Sequence, residues 1–204
     1  TIPAGYTVQL FATAVYSDDS TEDITESATW ESDAATYATV SDSSGTKGLV
    51  TGESGGGYAN ITATYSTLNA SATITVTSAT LESIRISPRD PSLVTGMTRQ
   101  MTATGIFSDS STLDLTDVVT WTIADEVDEG GSSVSTGSVA SISNGAGSEG
   151  LLTTGSTAGS ATIGAEHAAT GFTDSTTLTV QSCTLDRIAV TPENPIAYGT
   201  NQQF

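Results

Sequence analysis

AGYTVQLFATAVYSDDST (residues 4–21) returns, 91 residues further on, as TGMTRQMTATGIFSDSST (95–112). A third start stands at the end of the chain as YGTNQQF (198–204), so that Gly5, Gly96 and Gly199 are equivalent, as are Gln9, Gln100 and Gln203. Within the first copy Val8, Leu10, Ala12, Ala14 and Tyr16 fall at every second position, which predicts a strand with one face turned inward. The turn cluster SDDS or SDSS then ends it.

Outward from this stretch the correspondence continues. TLESIRISPRDP (80–91) is repeated by TLDRIAVTPENP (184–195), and Ile24-Thr25 by Leu115-Thr116. Thr29-Trp30 pairs with Thr120-Trp121, Gly48-Leu49-Val50-Thr51 with Gly150-Leu151-Leu152-Thr153, and Thr73-Ile74-Thr75-Val76 with Thr177-Leu178-Thr179-Val180. The second period is 103 residues, lengthened by an insertion between Trp121 and Ala140. Periods of this size exceed a solenoid unit and suit domains that each bury their own core. Ile84 and Ile86, then Ile61, Ala63 and Tyr65, then Ala72, Ile74 and Val76 supply further alternating runs, with Gly, Asp, Asn and Ser clusters between them. No window shows helical spacing. About seven short strands per repeat predict an all-β chain of tandem immunoglobulin-like Greek-key sandwiches. Trp30 and Trp121, expected on the third strand of each, are their predicted centres. The expected division is 1–78, a domain lacking its leading strand; 79–182, a complete domain; and 183–204, the leading strand and start of a third.

The motifs LDRIAVTP (185–192), GTNQQF (199–204), FSDSSTLDLT (107–116), VTW (119–121), GLVTG (48–52), SATIGA (160–165) and TLTV (177–180) are each ordinary strand and turn chemistry. In this order, and in two copies over nearly the whole chain, they resemble the bacterial immunoglobulin-like domain, group 2. Asp19 and Ser110 stand where that family has a turn glycine, and the insertion at 124–137 lies outside its outline. The resemblance implies stalk modules of bacterial adhesins of the intimin and invasin type, or of surface-layer, phage or secreted proteins, with no catalysis and no shared ligand. Extracellular or cell-surface placement follows as an expectation. The expected partners are neighbouring domains of the same chain, or identical subunits joined head to tail.

Composition narrows function further. The formal net charge is −18, with only five Lys and Arg residues. That excludes neutralising a nucleic-acid backbone and disfavours an anionic membrane surface. It fits a self-repelling soluble surface, a saline habitat or cation binding. No stretch is apolar enough to insert in a membrane. The single cysteine, Cys183, forms no internal disulfide; it reads as a small linker residue, or else as an intermolecular thiol.

An enzyme is not expected. His167 is the only histidine, no G-x-S-x-G elbow is present, and Gly55-Gly56-Gly57 lacks the lysine and helix of a phosphate loop. His167 reads as a strand-end residue at a domain surface. Carboxylates are the one chemical cluster. Asp18, Asp19, Glu22 and Asp23 share a loop, Asp109, Asp114 and Asp117 share its counterpart, and Asp125, Glu126, Asp128 and Glu129 fill the insertion. Calcium takes six to eight oxygens from such loops, so these are candidate Ca²⁺ ligands, with solvated acidic loops as the alternative. No other cofactor is expected. Asn60-Ile61-Thr62 and Asn69-Ala70-Ser71 match the glycosylation sequon. For function, the pattern predicts a structural spacer. The alternative is a glycan- or receptor-binding module that would use Tyr37 and Tyr58.

Overall fold

The computed structural model describes residues 1–182, and within them every regular element is a strand. The first domain holds β1 (Ile2–Pro3), β2 (Thr7–Gln9), β3 (Thr13–Val15), β4 (Thr21–Asp23), β5 (Thr29–Ser32), β6 (Ala38–Val40), β7 (Leu49–Gly52), β8 (Gly57–Tyr65) and β9 (Leu68–Thr77). The second holds β10 (Leu81–Ser87), β11 (Ser92–Val94), β12 (Thr98–Gln100), β13 (Thr102–Phe107), β14 (Thr112–Asp114), β15 (Thr120–Asp128), β16 (Ala140–Ile142), β17 (Leu151–Thr154), β18 (Gly159–His167) and β19 (Phe172–Gln181). Expectations that fall on 183–204, including Cys183 and the third leading strand, lie outside the described residues.

The two domains share one topology. Sheet β1-β9-β8-β5 corresponds to β11-β19-β18-β15, sheet β2-β7-β6 to β12-β17-β16, and the pair β3-β4 to β13-β14. Only β10, antiparallel to β13, has no counterpart in the first domain. The parallel pairing is kept as well: Ile2 faces Val76 as Leu93 faces Val180.

The strands are shorter and more numerous than the apolar runs suggested, because one run serves two sheets. β12 pairs with β17, and after Met101 the chain crosses over so that β13 pairs with β10 and β14. Met101 is fully buried at that crossing. The tryptophans consequently sit not on a third strand but on β5 and β15, the edges of the larger sheets.

Alternation builds the cores. Ala161, Ile163, Ala165 and His167 on β18, and Leu178 and Val180 on β19, point inward onto Trp121; Ala59, Ile61, Ile74 and Val76 do the same around Trp30. A fully buried isoleucine such as Ile163 contributes ~1.5–3 kcal/mol. Each indole N–H is satisfied within its own domain, Trp30 Nε1 donating to Thr25 O at 3.0 Å and Trp121 Nε1 to Thr116 O at 2.9 Å. The repeated glutamine has an equally local reason: Gln9 Nε2 donates to the carbonyls of Leu10 and Lys47, and Gln100 Nε2 to those of Met101 and Glu149. The repeated glycine of the GLVT and GLLT motifs lies at positive φ in both copies, and a Cβ would come within 2.5 Å of Leu10 O at Gly48 and 2.6 Å of Met101 O at Gly150. Asp19 and Ser110 hold φ of 62° and 66°, so the turn keeps its left-handed geometry without the glycine.

Candidate functional site: the joint between the domains

The acidic loops are built by local chemistry. Asp18 Oδ1 accepts from the backbone and hydroxyl of Ser20, and Asp109 Oδ1 does the same with Ser111. Asp23 caps Thr25 N–H at 2.9 Å and Asp114 caps Thr116 N–H at 2.9 Å. Asp19 occupies the positive-φ turn position, Glu22 accepts from the Tyr16 hydroxyl, and Asp117 is exposed. In the insertion Asp125 is exposed, Asp128 Oδ1 holds the N–H groups of Gly130 and Ser132, and Glu129 meets Ser182. Glu126 departs from the rest. It is buried, and its carboxylate accepts from Gly137, Val139 and Ala140. Among the described residues no three His, Cys, Asp or Glu side chains gather into a group that could hold a metal ion.

The sequon asparagines differ from each other. Asn60 is committed to its sheet: its Nδ2 donates to Asp33 at 2.7 Å and its Oδ1 accepts from Thr73 at 2.8 Å. Asn69 is exposed near the start of β9. Tyr37 packs over Gly57 while Tyr58 points outward, 61% exposed.

These bonds set a pH dependence. The hydroxyl and N–H of Ser20 hold Asp18 below the ordinary aspartate value, those of Ser111 hold Asp109 there, and Thr25 does so for Asp23. Asn60 lowers Asp33, and Lys47, followed by the Trp30 N–H, lowers Asp42. A carboxylate whose pKa is depressed by folding stabilises the fold above its unfolded value, and that contribution is lost as pH falls through the lower folded value. The melting temperature is therefore expected to hold from neutrality to about pH 4 and to fall below it. Relief of the −18 charge acts in the opposite sense. A pH series on the wild type and on an Asp18→Ala, Asp109→Ala double variant separates the two: the variant should lose less on acidification, and a wild type that gains stability down to pH 2 would show repulsion in command.

The site that the sequence did not disclose is the joint. β9 ends at Thr77 and β10 begins at Leu81. In the short connection Thr80 N donates to Ser108 Oγ at 3.1 Å, Ser108 N donates back to Thr80 O at 2.9 Å, and Ala79 packs on the second core. Tyr6, in the turn between β1 and β2, crosses from the first domain to that core. Its ring meets Phe107 edge-on at 5.1 Å and stacks over His167 at 6.2 Å, and burial raises the pKa of its hydroxyl. His167 is accordingly not an open surface residue; it is 5% exposed, with Nδ1 bonded to Thr170 Oγ1 at 2.9 Å. Repeat equivalence extends the pattern to both outer ends. Met97 stands in the place of Tyr6, and Tyr16 and Tyr65 in the places of Phe107 and His167. All three are exposed, at 50%, 45% and 42%. The signal was present in the repeat alignment as large apolar residues beside turns, but nothing in alternation says which surface apolar residue meets another domain.

Residues 1–78 match the profile of the bacterial Ig-like domain (group 2). This segment is a bacterial Ig-like domain of group 2. The second domain repeats its motifs and its sheet order, with the leading strand added. Ice-binding protein 1 of Shewanella frigidimarina is 40% identical over 205 residues, matching the whole of this chain, which spans 20% of that relative's length. Domains 5–6 of the surface-layer protein SbsC are similar at 18% identity and TM-score 0.40, over 90% of this chain and 93% of that one. The adhesin InvE of Yersinia pseudotuberculosis is similar at 16% identity and TM-score 0.40, over 88% of this chain and 56% of that one. The two domains, alike in sheet order, are joined through Tyr6.

Proposed function

We propose that this chain is a spacer segment of a long extracellular or cell-surface repeat protein, in which each domain plugs into the next at a restricted angle. The joint carries the reading. A linker of three residues between strands, bonded to the following domain, and an aromatic plug seated on two rings leave little of the freedom of a flexible tether. The exposed Met97 at one end and the Tyr16–Tyr65 pair at the other are the same plug and socket awaiting further domains. With strands up to ten residues long at roughly 3.3 Å each plus turns, a domain advances the axis by about 40 Å. Tyr6→Ser tests this. Solution scattering and interdomain dipolar couplings should show one extended orientation for the wild type and a broadened distribution for the variant, with the melting of each domain nearly unchanged. An equally narrow distribution in the variant removes the plug from the explanation.

The Shewanella relative's name motivates a second reading, in which the domains themselves contact ice through the outward face of β8 and β9, where Thr62, Thr64, Ser71, Thr73 and Thr75 stand together. The spacer reading places any such contact in other parts of a longer protein. Uptake of the isolated chain into a growing ice front decides between them.

A further inference from the structure

The two domains differ at the end from which the chain leaves. In the first, β5 stops at Ser32, Tyr37 lies over Gly57, and Ser78 of the linker rests directly on Gly55, where a Cβ would come within 2.4 Å of its hydroxyl. In the second, β15 runs on to Asp128, opposite Gly159, and the insertion turns there as a tight hairpin. Asp128 N donates to Ser132 O at 2.9 Å, Gly131 N donates to Asp128 O at 2.9 Å, and Val127 faces Ser133. Thr157 stands in the place of Gly55, so the linker serine has lost that seat. Its counterpart Ser182 meets the hairpin instead: its N–H and its hydroxyl donate to Glu129 Oε1 at 3.4 Å and 3.3 Å.

To reach that linker the hairpin crosses the sheet. β15 pairs with β18 and β18 with β19, so Glu129 passes over the start of β18 to meet the residue that follows β19. Gly159 permits the crossing, since a Cβ there would come within 1.9 Å of Val127 O. Glu129 N donates to Ala158 O at 3.2 Å, and the buried carboxylate of Glu126 fixes the returning chain. Beyond this latch the tip, from Glu129 to Ser133, is exposed.

The sequence that follows, TLDRIAV (184–190), lies outside the described residues. It repeats TLESIRI (80–86), with Arg187 in the place of Ser83. The arginine and the hairpin occur together, and the first joint has neither. The second joint also carries the slimmer Met97 in the place of Tyr6.

We propose that the hairpin tip is a docking surface for the domain that begins at Thr184, with Glu129 paired to Arg187. The second joint is then braced at two points, Met97 and the hairpin, where the first relies on Tyr6. Position 83 lies two residues into β10, about 7 Å along the strand, so an arginine there can turn back to the joint. Charge favours this partner: the chain carries −18 with five Lys and Arg residues, so most surfaces of its own kind would repel an acidic tip. The proposal rests on the spacer reading only in taking a further domain to follow the second.

The test continues residues 1–183 with a second copy of 80–182, a domain that buries its own core. Ser83→Arg in that copy restores the residue found at 187. Thr122→Cys in the second domain and in the copy takes spin labels, with Cys183→Ser. The label-to-label distance should be narrowly distributed with the arginine and broader with the serine. The ratio of docked to undocked molecules should differ by about two- to fivefold, as for an exposed ion pair. Glu129→Ala should cause the same loss in the arginine chain and none in the serine chain, without moving the melting of the second domain. Exchanging the charges, Glu129→Arg with Ser83→Glu in the copy, should recover the narrow distribution. A distribution that Glu129→Ala leaves unchanged in the arginine chain overturns the proposal, as does an exchange that recovers nothing. Labels at Thr75 and Thr122 read the first joint separately: a broad distribution there, with Tyr6 intact, counts against the spacer reading whatever the second joint does.

Discussion

Trp121→Ala is expected to destabilise the second domain by about 3–5 kcal/mol, a large share of what a domain of this size has. Trp121 is 2% exposed and is fixed by three hydrogen bonds. Its indole donates to Thr116 O, its own N–H donates to Asn144 Oδ1 at 2.7 Å, and Asn144 Nδ2 donates to its carbonyl at 2.9 Å. Truncation removes the apolar area, leaves a cavity under β18 and β19, and strands the Thr116 carbonyl. Trp30→Ala should cost less. Its ring lines an open groove beside β3, so the site around it can relax and part of the cavity is already reached by solvent. Urea denaturation followed by amide exchange in each domain reads the two losses separately. Equal losses, or a small loss at Trp121, would show that the tryptophan does not centre the sandwich.

That contrast marks how far the sequence could be read. Alternation at residues 8–16 and at 101–107 is the same pattern, and it located the strand in both domains. It did not show that Tyr16 would be exposed and Phe107 buried, because burial there depends on whether a strand lies alongside. Nor could alternation count strands, since the run 8–16 keeps an apolar residue at every second position while it passes from β2, paired with β7, to β3, paired with β4. Clustered carboxylates suggest a cation, yet Asp18, Asp23, Asp109 and Asp114 each bond two residues along their own loop, a pattern that the neighbouring Ser and Thr residues would have disclosed. His167 and Tyr6 needed the geometry of two domains at once, and no single repeat contains it.

Glu126→Ala is expected to cost about 3–5 kcal/mol, because a buried acceptor of several N–H groups leaves each of them unpaired when it is removed. The residue lies in the insertion, where acidity alone would place it with its exposed neighbours Asp125 and Glu129. β15 instead runs past the point where β5 stops, and its register shifts between Ala124 and Val127. That shift, with Asp125 at φ 52°, turns Glu126 inward. Its carboxylate then closes the returning loop by accepting from Gly137, from Val139 at 2.6 Å and from Ala140 at 3.2 Å, at the start of β16. One side chain thus anchors an added loop to the core edge where Val139 and Ala140 are buried. Glu126→Gln keeps one acceptor oxygen but turns an amide NH₂ toward the remaining donors, so it should fall between wild type and alanine. Asp125→Ala and Glu129→Ala should leave stability within about 0.5 kcal/mol. Thermal melts of the four variants, with exchange at Gly137 and Val139, check the assignment. If alanine at 126 is no worse than alanine at 125, the loop is held by its backbone alone and the carboxylate is incidental.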